Sequence, residues 1–65
     1  MNKTTTTNER YIDLNEAAMF LSTNTNWIYS NHKLLGIPVH YLGRKLRFKI
    51  SELDLWMQNK NNGSL

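Results

Sequence analysis

Five cationic side chains, Lys33, Arg44, Lys45, Arg47 and Lys49, fall between Thr23 and Ile50, and no Asp or Glu interrupts that stretch. His32 and His40 lie in it too, while every acid, Glu9, Asp13, Glu16, Glu52 and Asp54, lies outside. The middle therefore carries +5, and the flanks, where Lys3, Arg10 and Lys60 oppose five carboxylates, carry −2. Segregation of this kind points to one positive surface facing a polyanion. Short polar groups accompany the cations. Asn26 can pair bidentately with adenine, and Thr25 can meet a thymine methyl or a phosphate. Tyr29 and Ser30 suit backbone or base-edge contact, and Lys33 suits a phosphate. Arg44, Lys45 and Arg47 are long cations beside a turn, fit to lie along a minor groove or its phosphates. The blander reading is a solvated helix face and a strand edge kept from pairing by its charges.

Other chemistries lack their residues. No cysteine or carboxylate stands at a zinc-type spacing from His32 or His40, so no metal is expected. There is no cysteine at all, which fits a reducing compartment. No Gly-rich phosphate loop and no plausible Ser, His and acid set is present. A chain of 65 residues has little room for a catalytic cleft. No enzyme activity, cofactor or small-molecule ligand is expected. Trp27 and Trp56 recur with other apolar residues at helical spacing, which favours packing over stacking platforms for single strands. No apolar run nears the ~20 residues of a membrane helix, and MNKTTTTNER lacks the apolar core of a signal peptide. A cytoplasmic protein without membrane contact is the expectation.

These groups need a frame, and one small domain is all the length allows. Such a chain buries only about 60% of its unfolded surface, so its core is thin. Residues 1–10 read as a disordered tail, 11–58 as the domain and 59–65 as a flexible tail. Asp13 and Glu16 form a capping box that opens a first helix running to about Leu21. Leu14, Ala17, Ala18 and Leu21 make its apolar stripe, widened by Phe20. Ser22-Thr23-Asn24 breaks it, and Asn24 caps a second helix from about Thr25 to Leu34. That helix is expected to bury Trp27, Ile28, Leu34 and Leu35. Gly36 ends it, and Ile37-Pro38 turns the chain into extended structure. Val39 to Leu42 and Lys45 to Ile50 read as strands around a Gly43-Arg44 turn. Leu46, Phe48 and Ile50 are expected inward, as are His40 and Leu42, with Tyr41 outward. Ser51, with Asp54 as partner, opens a third helix whose Leu53, Trp56 and Met57 close the core. The fold expected is mainly α with a small hairpin: a winged helix-turn-helix.

The segments YIDLNEAAMFL, NTNWIY, LGIP, LGRKLRF and SELDLWM carry a family likeness. Together they resemble the excisionase-type, MerR-like DNA-binding proteins of phages and mobile elements. The shared features are Ala17-Ala18, Tyr29, Ile37-Pro38, Gly43-Arg44 and Trp56, spread over Tyr11 to Met57. This chain departs where the family has Gly and an apolar residue in the turn, here Ser22-Thr23. It departs again where the family opens its second helix with arginines, here Thr25-Asn26. The resemblance implies a recombination directionality factor that binds and bends double-stranded DNA near attachment sites, side by side with other copies, and assists an integrase. A small prophage or mobile-element transcription regulator on the same fold is the alternative. A protein-interaction module without DNA is the third reading.

Overall fold

The computed structural model describes residues 9–63. It is mainly helical, with α1 (Leu14–Phe20), α2 (Thr25–Leu35), β1 (His40–Leu42), β2 (Lys45–Arg47) and α3 (Ile50–Gly63) in chain order. The strands form one antiparallel hairpin. No helix among the described residues is long and apolar enough to cross a membrane.

Each helix starts for a local reason. Asp13 accepts from the Glu16 backbone at 2.9 Å, and the Glu16 carboxylate reaches back to the Asp13 backbone N–H. That is the reciprocal capping box. Asn24 Oδ1 accepts from the Trp27 N–H at 2.9 Å and caps α2. Both helices end the same way. At the end of α1, Thr23 donates to the Ala18 carbonyl and Ser22 to Met19, with Ser22 left-handed at φ 58. At the end of α2, Ile37 donates to the His32 carbonyl and Gly36 stands at φ 70. Both are Schellman-type stops, in which the left-handed residue turns the chain back over the last carbonyls.

The third helix departs from expectation. It begins at Ile50, and Ser51 is not its cap. Glu9 takes that role from 42 residues away, accepting from the Ser51 N–H at 2.9 Å and its hydroxyl at 2.6 Å. Asp54 instead accepts from Gln58. Drawing Ile50 into a helix removes it from the strand, and it is exposed rather than inward. α3 also runs past Asn59. Asn61 donates to the Met57 carbonyl and Lys60 lies over the Trp56 ring, contacts one turn apart that carry the helix on. The expected disorder of residues 1–8 lies outside the described residues, whereas Glu9 and Arg10 are engaged, Arg10 with Glu16 at 3.1 Å.

The core is small. Phe48, Ile28 and Leu53 are fully buried, joined by Ile12, Ala17, Ala18, Ile37 and Leu46. Ile12 exchanges two backbone hydrogen bonds with Phe48, so the segment before α1 adds a bridge to the chain leaving β2. Leu14, Leu21, Leu35, Val39 and Trp56 pack around this cluster. The Trp56 Nε1–H donates to the Leu35 carbonyl, tying α3 to the end of α2.

Several expected core residues stand outside it. Phe20 is exposed because α1 buries only its alanine pair. On α2 the buried line runs through Ile28 and His32, with Leu35 partly buried beyond them. Trp27 and Leu34 flank that line, and Leu34 is 82% exposed. Met57 lies at the rim of α3 and is also exposed. In the hairpin, Tyr41 opposes Leu46, and Leu42 opposes Lys45. Opposed residues share a face. With Leu46 inward, Tyr41 faces the α2 side, while His40 and Leu42 take the other face, the reverse of the expected arrangement.

Candidate nucleic-acid interface

The eight residues singled out from the sequence lie on α2 and on the hairpin. Ile28 and His32 anchor the back of α2, which turns Asn26, Tyr29, Ser30 and Lys33 outward; all four are exposed, and Thr25 is half-buried. The hairpin is closed by a two-residue turn, with Gly43 at φ 63 and Arg44 outside the left-handed region. Glycine at the first turn position is what a type II′ hairpin requires. That turn places Arg44 at the tip and Lys45 just after it, both exposed. Arg47 is half-buried, its guanidinium donating to the Leu46 carbonyl at 2.9 Å.

Two open hollows lie between α2 and the hairpin. The first, of about 350 Å³, brings Thr25 and Tyr29 together with Arg44, Lys45 and Arg47, and Asp13, Leu14 and Asn15 at the start of α1 also line it. The second, of about 230 Å³, joins Tyr29, Ser30 and Lys33 to Tyr41 and Arg44. Tyr29, Arg44 and Leu46 line both, so the hollows are parts of one groove. Seven of the eight residues therefore border a shared concavity. Asn26 borders neither hollow, although it stands one turn before Ser30 and two before Lys33 on the same helix face.

Tyr41 was not among the expected contacts, yet it lines the second hollow. The signal was present in the spacing. A two-residue turn at Gly43-Arg44 pairs Tyr41 with Leu46, so an inward Leu46 fixes the side of Tyr41.

His32 lies beneath this surface, only 6% exposed. Its Nδ1 is 3.0 Å from the Tyr29 carbonyl and 3.2 Å from that of Ile28, so Nδ1 carries the proton and donates. Nε2 is then an acceptor, and it has no hydrogen-bond partner among the described residues. On the hairpin's other face, His40 Nε2 sits 2.8 Å from the Glu52 carboxylate and packs edge-on to Tyr11. This pair ties β1 to α3 and fixes the hairpin's position relative to the helices. Lys49 lies over the Tyr11 ring, so its charge faces away from the groove. At the α3 cap, the Ser51 hydroxyl and then its N–H hold the Glu9 carboxyl below its ordinary pKa, with Lys49 adding to the effect.

Neither a protein-family model nor a curated protein nor a solved structure matches the chain.

Proposed function

We propose that this chain is a winged helix-turn-helix protein that binds double-stranded DNA by sequence. In this reading α1 and α2 are the helix-turn-helix, α2 enters the major groove, and the β1–β2 hairpin is the wing on the adjacent minor groove. The observation that carries it is the shared groove, whose lining joins the exposed front of α2 to Arg44 at the hairpin turn, with Lys45 and Arg47 along its hairpin edge. Charge agrees with it, since the whole Thr23–Ile50 stretch is free of carboxylates.

Each residue has a part. Asn26 and Thr25 read base edges, Tyr29 and Ser30 contact backbone or bases, and Lys33 and the wing cations hold phosphates. The resemblance to excisionase-type proteins gives the role: a recombination directionality factor that bends DNA beside an integrase. Bending a site costs on the order of 1–6 kcal/mol, which phosphate contacts must offset. With four such contacts, from Lys33, Arg44, Lys45 and Arg47, log affinity falls with log salt at a slope of about −3.6.

The test is selection of bound duplexes from a random pool, followed by titration at several salt concentrations. Asn26→Ala is expected to relax the selected preference, and Arg44→Ala to weaken all duplexes alike. A salt slope near zero would falsify the reading. Footprints at attachment sites rather than promoters would favour recombination over transcription control.

A further inference from the structure

The groove is not chemically uniform. Its first hollow includes Asp13 in its lining, with the carboxylate held by the capping box. Its second hollow has no carboxylate in its lining. Instead Lys33, Arg44, Tyr29, Ser30 and Tyr41 line it, two residues with cationic ends and three with hydroxyls. Two cations and three hydroxyl donors around one hollow make a set suited to an oxyanion. The donors come from both walls, three from α2 and two from the hairpin.

Tyr41 is the informative member. It opposes Leu46 in the ladder and so faces α2, yet it is 59% exposed. Leu46 is buried beneath it and forms the floor with His32. Tyr41 thus stands beside Lys33 and Arg44 in this hollow and also borders a further one with Tyr11, His40, Leu42 and Arg47.

We infer that the hollow between Lys33, Tyr41 and Arg44 seats one phosphodiester of a duplex strand, with Tyr41 as a contact residue. The inference rests on the duplex-binding reading and deepens it. One strand's backbone passes between α2 and the hairpin, which puts these two elements in neighbouring grooves. In the first hollow Asp13 offsets one of the three lining cations, whereas no carboxylate in the lining of the second opposes Lys33 and Arg44.

A fluorescein-labelled 20-base-pair duplex of mixed sequence is the probe, read by anisotropy at low salt. No binding by the unaltered protein would sink the duplex reading itself. Given binding, Tyr41→Phe is expected to weaken it about tenfold, the range for one hydrogen bond to a charged group, and to leave the salt slope unchanged. Lys33→Ala is expected to weaken it and to lower the slope by about 0.9. Lys60→Ala, on α3, serves as the remote comparison and should leave affinity within about twofold. Because Lys33 and Tyr41 share one phosphate, the double variant should lose less than the product of the single losses. Orthophosphate at matched ionic strength should displace the duplex no better than chloride. Melting curves check that each variant is folded, and Tyr41 is exposed enough to be replaced safely. Unchanged affinity in Tyr41→Phe, full additivity in the double variant, or specific displacement by orthophosphate would each overturn the inference while leaving duplex binding intact.

Discussion

His32 sits where α2 meets the core, at a position that an apolar side chain would fill without a polar remainder. Its Nδ1–H is satisfied by the helix itself, and its Nε2 is not satisfied. A buried acceptor without a donor costs roughly 1–3 kcal/mol. His32→Leu is therefore expected to raise stability by about 1 kcal/mol in chemical unfolding; a loss of stability would mean that the imidazole is worth more than this geometry gives it. Ser22 carries the other local cost. It adopts φ 58 at the end of α1, where the glycine at the end of α2 adopts φ 70. A left-handed non-glycine residue costs about 1–2 kcal/mol, part of which glycine returns through its freer unfolded chain. Ser22→Gly should gain about 0.5–1 kcal/mol, seen as a rise of a few degrees in melting temperature. The two cases differ in legibility. Gly36 announces a helix stop by its type, whereas Ser22 gives no such sign. Its left-handed backbone follows from the Schellman bonds around it, which are a property of the packed chain.

At the scale of elements, the caps of α1 and α2 were readable because capping boxes and Asn caps act within three residues. The cap of α3 was not, because its carboxylate comes from Glu9, far away in sequence. Nothing in the residues around Ile50 signals that partner. The alternation Leu46, Phe48, Ile50 suggests a strand three residues longer than the ladder that forms. The faces of β1 were recoverable in principle, since turn length and the inward Leu46 together decide them. Glu9 also gives α3 a pH dependence. Its folded pKa lies below the ordinary 4.5, so its contribution is present above that value and is lost as pH falls through the lowered one. Melting curves between pH 7 and 3 should therefore show a loss of stability in the acid range that Glu9→Gln largely removes. A variant with the same acid profile as the unaltered protein would show that Glu9 does not hold the helix start. Glu52→Ala tests the other long-range tie. It should loosen the hairpin by freeing His40, detected as faster amide exchange in β1 with α1 unaffected.

At the scale of the molecule, Lys33, Arg44, Lys45 and Arg47 come to one groove, with Asp13 also in its lining and Lys49 turned away onto Tyr11. Residues 13 to 47 bring α2 and the hairpin to one groove, while Leu55 and Met57 are exposed on α3 outside it. The composition showed that the positive stretch was continuous in sequence, but not that both its halves line the same concavity. That depends on the hairpin's anchoring through His40 and Glu52 and on the buried back of α2. In the duplex-binding reading, α2 and the hairpin engage one duplex at once. Amide NMR spectra recorded during titration with a duplex test it most directly. Signals of Tyr29, Ser30 and Lys33 should shift together with those of Tyr41, Gly43, Arg44 and Lys45, at one stoichiometry and along one binding curve, while Leu55 and Gln58 stay fixed. Shifts confined to α2 or to the hairpin alone, or centred on the outer side of α3, would contradict it.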